Sequence, residues 1–566
     1  MRLAAAIAAT ALVVSGQTAV AAAPAPVQPD PLLAFVEDPG RIDLAAVARA
    51  RDARSRARVL SSTVPDYVHA EREPASARGR NDSWWAAEST DFRRHRGAVF
   101  TGSLLADPTM PVVPEAAEPN DSAATASGTG VGTTRRAIRT TGTITGGDQD
   151  FYRLRGAGLT SVATLTPGSD LDTVLTVFDA AGAEIASNDN VGPSIDATLS
   201  VELTAGADHF VRVTGGPNSS GTYELTLGTG EGKGDKDFFA IDLKAGDVVG
   251  ASVTGSARKV VVHDTRGREV QGSRQDFSVV YPATSPLPGG GNAVTDYIAP
   301  RDGRYHVGVE DGAGRYDLTV KAFRPGSEKA GLQTVFVDFD GALVDTSPWG
   351  VPGTRSLSPM VHFLAAWGLS ASDENAVISA AVNTIRENLA LRGDFGVRLL
   401  DSRHHADPWG QKNVSRLVIG GTVAESGVDT VAIAQSIDPG NFGHEETALV
   451  QLDRLSLPAG PPISLNTYVK PESDKILFVG RALGNIAAHE LGHISGSWHQ
   501  DQFNEHDTLM DQGGNPTAMF AVGADAAGGT ADDTDMDFGE DVFVPNEGFT
   551  GIEDAATRTK WGYSRG

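Results

Sequence analysis

The sequence predicts a multidomain protein in which two all-β sandwich modules precede an α+β domain. The chain has 566 residues, which is enough for three or four domains. Across residues 111–325, short alternating strand patterns are separated by turns rich in Gly, Asp, Asn and Pro, as is typical of antiparallel sheets. Across residues 331–566, apolar strand-like runs are mixed with amphipathic helical patterns, which indicates an α+β fold.

The composition limits the classes of partner that the protein can have. The formal net charge is −25 at pH 7, and an acidic surface repels the phosphates of nucleic acids and anionic lipids. The chain contains no cysteine, which excludes disulfides, thiolate metal ligands and a lipid anchor on cysteine. We therefore expect no nucleic-acid partner, and we expect acidic clusters in an exported protein to be candidates for Ca²⁺.

Residues 1–21 have the pattern of a secretory signal peptide. A charged start precedes the apolar run Leu3–Val14, and Ala19-Val20-Ala21 fits the small-x-small rule for cleavage. The apolar run is too short to span a bilayer, so no membrane span is expected. We predict a secreted, extracellular protein whose mature chain begins at Ala22. Because exported proteins without cysteine are more typical of bacteria than of animals, we also expect a bacterial source.

Residues 22–110 differ from the rest of the chain in their many arginines. Five of these lie within one Ala-rich, helix-friendly stretch: Arg49, Arg51, Arg54, Arg56 and Arg58. One interpretation is a propeptide whose basic helix binds the acidic remainder of the chain. The other is an N-terminal extension with a solvated charged helix. The sequence leaves both interpretations open.

An internal repeat predicts the two sandwich modules. Three segments recur in the same order and at similar offsets. The pairs are Gly147–Tyr152 with Gly234–Phe239, Val177–Gly182 with Val262–Gly267, and Gly221–Leu227 with Gly314–Val320. The simplest account is a pair of tandem β-sandwiches, over residues 111–229 and 230–325.

The first module resembles a bacterial pre-peptidase C-terminal (PPC) domain. The resemblance rests on the opening Glu118-Pro119-Asn120-Asp121-Ser122, on the Gly-Asp-x-Asp-Phe-Tyr strand and on the closing Gly-Thr-Tyr-x-Leu-Thr strand. It implies a calcium site. The candidate oxygen ligands are Glu118, Asn120, Asp121, Asp148 and Asp150. The alternative is that these residues only form turns and caps. The second module lacks the Glu-Pro-Asn-Asp opening, which weakens the case for calcium there.

Residues 331–566 contain the predicted α+β domain. Thr334–Phe339 is a buried-type strand, and Asp373–Leu391 carries an apolar stripe at helical spacing. Four strand candidates follow before a second helix, predicted over Gly480–Ser495. The four candidates are Val397–Leu400, Leu417–Ile419, Thr430–Ala434 and Ala448–Leu452.

The second helix carries the pattern H-E-x-x-H-x-x-G-x-x-H. His489 and His493 lie four residues apart, so they share one helix face and can bind the same zinc ion. Gly496 can adopt positive φ, which lets the chain leave the helix and bring His499 back as a third ligand. Glu490 lies next to His489, within reach of a water on the metal. Three protein ligands with one open position are typical of a catalytic zinc.

This segment resembles the signature of the metzincin zinc peptidases. Members of that family also have a tight turn whose Met lies beneath the zinc, and Met510 in Thr508-Leu509-Met510-Asp511 matches it. The order of strands and helices over residues 331–566 resembles the upper half of a metzincin catalytic domain. Some members add a Tyr ligand two residues after the Met, but Gln512 occupies that position here.

The function that these observations favour is a secreted zinc-dependent metalloendopeptidase acting on a protein or peptide substrate. A zinc-activated water would attack the peptide bond, with Glu490 as the general base. One alternative is a non-catalytic secreted or surface binding protein with a relic zinc domain. Another is a zinc hydrolase with a different substrate, because the motif specifies water activation and not the substrate. The oligomeric state is not determined by the sequence.

Overall fold

The fold is described from a computed structural model. It describes residues 26–27, 30–35, 67–74, 79–105, 110–115, 118–166, 169, 171–189, 197–216, 219–229, 235–312, 314–324, 333–390, 397–513, 515–544 and 547–564. The predicted signal peptide and the five arginines between Arg49 and Arg58 lie outside these residues. Strands make up 37% of the described residues and helices 17%, so this part of the protein is mostly β-structure, as predicted. No helix in the described ranges is long and apolar enough to cross a membrane.

The inserted sandwich, our name for residues 110–229, packs two sheets face to face. Alternate residues of each strand point inward, and Leu225 and Val211 are fully buried in its core. One sheet has the order Thr198–Leu203, Gly158–Leu165, Gly221–Thr229, Ala137–Ile144. The other has the order Ser127–Gly128, Gln149–Arg155, Asp208–Gly215, Thr173–Phe178, Glu184–Asp189.

The outer sandwich, our name for residues 67–105 together with 235–324, has the same two-layer construction. Phe100 and Phe239 stack between its layers with ring centroids 4.7 Å apart. One sheet has the order Tyr67–Ala70, Gly97–Leu104, Gly314–Phe323, Val248–Gly255, Ala293–Ile298. The other has the order Glu88–Ser89, Asp237–Leu243, Gly303–Glu310, Lys259–His263, Glu269–Ser273, Phe549–Thr550. The short 3-10 helices Trp84–Ala86 and Phe277–Val280 flank these strands.

The two sandwiches are nested and not tandem. Gly97–Leu104 pairs along its whole length with Gly314–Phe323, and Glu88–Ser89 pairs with Asp237–Leu243. Strands within the predicted extension 22–110 therefore complete the second module, whose range of 230–325 was predicted too short. Local patterns show that a strand exists but not its partner, so they could not reveal that the first module interrupts the second.

The C-terminal domain, residues 333–564, is built on a mixed five-stranded sheet. Four strands are parallel, and the last, Ala432–Ala434, is antiparallel and forms the edge. We call it the edge strand. The order is Val397–Asp401, Gln333–Asp338, Val414–Ile419, Thr447–Val450, Ala432–Ala434. Two small ribbons pair Leu343–Asp345 with Thr354–Ser356 and Glu540–Val542 with Ile552–Asp554.

Helices cover this sheet. The α-helices are Glu374–Ala390, Val423–Ser426, Lys475–Ile494, Pro516–Met519 and Ala555–Gly562. The 3-10 helices are Ser347–Trp349, Met360–His362, Leu364–Trp367, Ala371–Asp373 and Leu465–Thr467. We call Lys475–Ile494 the motif helix.

The motif helix begins five residues before the predicted start at Gly480. The side chain of Asp474 caps it by accepting a hydrogen bond from the amide of Leu477 (3.0 Å). The glycines within it serve helix packing and do not mark an end. A Cβ on Gly484 would lie 2.6 Å from the Cβ of Thr384 on the neighbouring long helix, so only glycine allows this close approach.

The N-terminal segment, our name for residues 26–27 and 30–35, belongs to the C-terminal domain. Ala34 pairs antiparallel with Ile433 of the edge strand, and Val27 forms a parallel bridge with Val428. The predicted extension 22–110 is thus divided in the structure between two domains.

Candidate metal centre

The motif helix and the turn after it bring three histidines to one point. His489 and His493 lie on one face of the helix, which ends at Ile494. Gly496 has φ 104°, and a Cβ there would collide with the backbone of Pro439. Glycine is therefore required for the turn that returns His499 to the helix.

The geometry of the three imidazoles suits a shared metal ion. One ring nitrogen of each histidine lies within 4.8 Å of those of the other two. Nε2 of His493 is 3.1 Å from Nε2 of His499. All three side chains, and that of Glu490, are fully buried.

Hydrogen bonds fix which nitrogen of each ring is free. Nδ1 of each histidine faces an oxygen that can only accept, so Nδ1 carries the proton and Nε2 keeps its lone pair. The pairs are His489 with the Leu509 carbonyl (2.7 Å), His493 with the Ser497 carbonyl (2.9 Å), and His499 with the Glu547 carboxylate (2.7 Å). Such partners orient imidazole ligands in metal sites.

The electrostatics keep the rings neutral. Burial, reinforced by the neighbouring His499, lowers the pKa of His489 to about 3. Burial lowers the pKa of His499 to about 3 as well, although the negative charge of Asp30 acts in the opposite direction. The pKa of His493 is held well below its usual range by burial and by the other two rings. Neutral imidazole is the form that binds a metal.

These residues fit a zinc ion. Two buried Nε2 lone pairs facing each other at 3.1 Å repel unless a cation lies between them. Imidazoles that bind zinc tetrahedrally at about 2.0–2.1 Å place their nitrogens at a similar separation. His489, His493 and His499 would hold the ion.

Glu490 is a buried carboxyl group beside this centre. Neither of its oxygens has a hydrogen-bond partner within the described ranges, and burial raises its pKa well above the usual range. An unpartnered buried carboxyl group is costly, so it marks a position where a ligand or water completes the site. A carboxyl group beside a metal-bound water is placed to exchange a proton with it.

Met510, the residue that the metzincin resemblance singled out, packs against the motif helix. It is fully buried, and a Cβ on Gly492 would lie 2.5 Å from its sulfur. The carbonyl that orients His489 belongs to the residue just before Met510, so this turn also holds a histidine in place.

Glu547 is a site residue that the sequence analysis missed. It accepts hydrogen bonds from the ring of His499 and, at 3.0 Å, from the side chain of Gln512. No recognisable spacing links Glu547 to the motif, so no signal in the sequence pointed to it.

The outer sandwich helps to hold the loop that carries His499. The indole of Trp498 donates to Asp296 of this sandwich (3.2 Å), and its amide donates to Glu553 (3.0 Å). Arg558 is buried and forms ion pairs with both Asp296 and Glu553. The third histidine is thus positioned by contacts between two domains.

The predicted calcium ligands of the inserted sandwich converge on one acidic cluster. Carboxylate oxygens of Glu118, Asp121 and Asp148 lie within 4.8 Å of one another, and the same holds for Glu118, Asp150 and the unpredicted Glu115. Asn120 and Asp150 are fully buried, and each has one side-chain oxygen without a partner in the described ranges. Burial raises the pKa of Asp150 above its usual range.

The outer sandwich contains a second cluster of this kind, which the sequence analysis missed. Oxygens of Glu73, Asp82 and Asp235 lie within 4.8 Å of one another. Glu73-Pro74 and Asn81-Asp82 reproduce the Glu-Pro-Asn-Asp opening, interrupted by residues 75–80. The sequence signal was therefore present, but it lay before the inserted module and was split.

The two clusters have the same pattern of hydrogen bonds. In each, the backbone carbonyl of an asparagine accepts a hydrogen bond from the backbone amide of a phenylalanine, and the side-chain nitrogen of the asparagine donates to a glutamate. The pairs are Asn120 with Phe151 (3.1 Å) and Glu115 (3.2 Å), and Asn81 with Phe238 (3.0 Å) and Glu71 (3.3 Å). Burial raises the pKa of Asp235 to about 6, as it raises that of Asp150, so each cluster holds a carboxyl group at a cost that a cation would offset.

Comparisons with known proteins give weak similarities only. The chain matches no protein-family model, and a search of curated proteins found no match. Among solved structures, one similarity is to the periplasmic g-type lysozyme inhibitor PliG of Aeromonas hydrophila (17% identity, 21% of this chain, 96% of that one, TM-score 0.14). Another is to the pre-peptidase C-terminal domain of a Bacillus anthracis collagenase (13%, 21%, 96%, TM-score 0.14). A third is to the PBSX exported protein XepA (11%, 33%, 86%, TM-score 0.13). At these TM-scores none of the three defines the fold or the function.

Proposed function

We propose that this protein is a secreted zinc-dependent metalloendopeptidase. The observation that carries the proposal is the convergence of three neutral, oriented imidazoles beside the buried, unpartnered carboxyl group of Glu490. Three nitrogen ligands leave a fourth position for water or substrate, which is the arrangement of a catalytic zinc.

The chain's own residues have separate roles in this proposal. His489, His493 and His499 hold the ion, and Glu547 keeps His499 in its metal-binding tautomer. A bound zinc ion supplies Lewis-acid chemistry, which acidifies water and polarises the carbonyl of a peptide bond. Glu490 takes the proton of the attacking water and then delivers it to the leaving amine.

The architecture of the C-terminal domain supports a metzincin-like peptidase. The resemblance rests on the order strand, helix, several strands, motif helix, and the elements of this domain occur along the chain in that order, which supports the proposal. The edge strand matters for function because an extended peptide can add to a free sheet edge through backbone hydrogen bonds.

Metal removal tests the proposed function. The ring of Phe35 packs against that of His489, so it stands in the way of a substrate that approaches the three histidines. Denatured casein is therefore incubated with the native chain and, separately, with the variant Phe35→Asp. We expect cleavage that stops when a zinc chelator is added and returns with zinc. Cleavage that the chelator does not affect would contradict the metal mechanism. Zinc binding without cleavage by either protein would favour the binding-protein alternative. Small esters are tested in parallel, and zinc binding with cleavage of the esters alone would favour a zinc hydrolase with a non-peptide substrate.

We also propose that each sandwich binds Ca²⁺ through its acidic cluster. Asp235 has a folded-state pKa of about 6, above the value of about 3.8 expected when unfolded. Its protonation therefore stabilises the fold fully below about pH 4, and this contribution is lost as the pH rises through 6. Calcium replaces the proton above that pH.

We expect about 1 mM Ca²⁺ to raise the melting temperature by several degrees at about pH 7.5, and by less at about pH 5. The measurement is thermal unfolding with added Ca²⁺ or after Ca²⁺ has been removed by dialysis, with the same zinc concentration in both samples. Asp235→Asn is expected to reduce the shift, whereas the matched change Asp317→Asn, at an exposed position of the same sandwich, is not. If Ca²⁺ shifted the melting temperature of both variants equally, the proposed calcium site in the outer sandwich would be wrong.

A further inference from the structure

The N-terminal segment extends the central sheet of the C-terminal domain by one position. The amide of Phe35 donates to the carbonyl of Ala432 (3.0 Å), and the amide of Ala434 donates to the carbonyl of Leu33 (3.0 Å). The hydroxyl of Thr430 also donates to the carbonyl of Phe35 (3.0 Å). The segment therefore runs antiparallel to the edge strand and satisfies the backbone groups that an edge leaves open.

The side chains of this segment are buried as deeply as the core. Leu32, Leu33, Ala34 and Phe35 are each at most 1% exposed. They join both hydrophobic clusters of the C-terminal domain, so the groove beside the edge strand is apolar. Because burying apolar surface favours binding, an extended apolar peptide is the ligand that such a groove favours.

The same segment lies against the metal centre. The ring of Phe35 meets the ring of His489 edge to face, with centroids 5.9 Å apart. At the other end of the segment, the side chain of Asp30 is also buried. A peptide held in this groove as the segment is therefore passes directly beside His489.

The centre is closed while the segment is in place. His489, Glu490, His493 and His499 have no exposed surface, yet a catalytic zinc must admit substrate at its open position. The part of the chain that covers these residues must move away before a substrate peptide can enter. Within the described ranges, the N-terminal segment occupies the edge to which such a peptide would add.

We propose that the N-terminal segment occupies, in cis, the peptide groove formed by the edge strand and the metal centre, so that the folded chain is latent until the segment is displaced. The statement that the chain is latent rests on the proposed peptidase function. The groove itself is a peptide-binding site, and binding to it can be tested separately. The ligand it accepts is an extended peptide with apolar side chains, bound antiparallel to the edge strand.

Displacing the segment within the full chain tests this proposal. Phe35→Asp places a charge where the ring of Phe35 is buried, which should expel the segment. We expect faster hydrogen–deuterium exchange at the amide of Ala434, which loses the carbonyl of Leu33 as its acceptor. We also expect the rate of casein cleavage to rise by about tenfold or more. Val112→Asp, at an exposed apolar position of the inserted sandwich, is the matched control and should change neither quantity.

A peptide added in trans provides the second measurement. A synthetic peptide with the sequence of residues 27–35 should bind the Phe35→Asp chain, slow exchange at Ala434 again and reverse the gain in cleavage. A scrambled peptide of the same composition should do none of these. If Phe35→Asp fails to fold, Phe35→Ala is measured in the same way.

The outcomes separate the groove from the chemistry. Faster exchange at Ala434 with an unchanged cleavage rate overturns the proposal, because the displaced segment did not block substrate. Failure of the peptide to bind a chain with faster exchange overturns it as well. Faster exchange and peptide binding without any cleavage supports the groove but contradicts the proposed peptidase function.

Discussion

Glu490→Gln is expected to abolish peptide-bond cleavage while the chain still binds one zinc ion. The amide keeps the size of the carboxyl group but cannot accept the proton of the attacking water. General base catalysis contributes about 10²–10⁴-fold, so kcat should fall by about 10³-fold. Cleavage of denatured casein and zinc content measured on the same preparations would show this, with Phe35→Asp as the common background.

The matched control for this substitution is Glu472→Gln, which changes the same side chain at an exposed position just before the motif helix. It should alter neither cleavage nor zinc content. The melting temperature of the Glu490→Gln protein should not fall, because burial already raises the pKa of this carboxyl group and so disfavours its charge. Undiminished cleavage by Glu490→Gln would reject its role as the base.

His493→Ala is expected to lose both zinc and cleavage. His493 faces His499 at 3.1 Å and its ring centroid is 4.8 Å from that of His489, so it is central to the ligand set. Removing it leaves two ligands and a buried cavity. We expect less than about one tenth of the zinc to remain after dialysis, and a loss of about 2–4 kcal/mol in the free energy of unfolding of the zinc-loaded protein.

Metal analysis and denaturant unfolding, each with and without added zinc, are the measurements for His493→Ala. His404→Ala serves as the control, because the side chain of His404 is 55% exposed and pairs with Asp401 away from the motif. If His493→Ala retained one zinc per chain, the assignment of His493 as a ligand would be wrong. If it lost zinc but kept its full stability, the metal would not be linked to folding.

The convergence of the three histidines could be predicted because much of what determines it is local in the sequence. The four-residue spacing of His489 and His493 sets a shared face on any α-helix, and Gly496 is the residue type that permits the sharp exit toward His499. The β-modules were predicted for the same reason, since strand alternation and turn residues are local patterns. The motif helix was predicted to begin at Gly480, but it begins at Lys475 with Asp474 as its cap, and Gly480 lies within it, where it packs closely against Ala380 of the neighbouring helix.

The features that the sequence analysis missed depend on contacts between distant residues. Glu547 accepts a hydrogen bond from His499, 48 residues before it in the sequence. The strand Gly97–Leu104 pairs with Gly314–Phe323, which follows the inserted sandwich. Phe35 contacts His489, although both sandwiches lie between them in the sequence. Such pairings follow no period, and which of several compatible partners is chosen depends on the total packing.

The sequence by itself therefore determined the chemistry that the site can offer: two imidazoles and a carboxyl group on one helix and a third imidazole after a glycine turn, on an acidic chain without cysteine. Only the tertiary structure decided how that chemistry is held and covered. It places Glu547 behind His499, sets the outer sandwich against the loop of Trp498, and fills the edge of the sheet with the chain's own N-terminal segment. The physical reason is that side-chain chemistry and helix geometry are encoded residue by residue, whereas burial and strand pairing are properties of the whole folded chain.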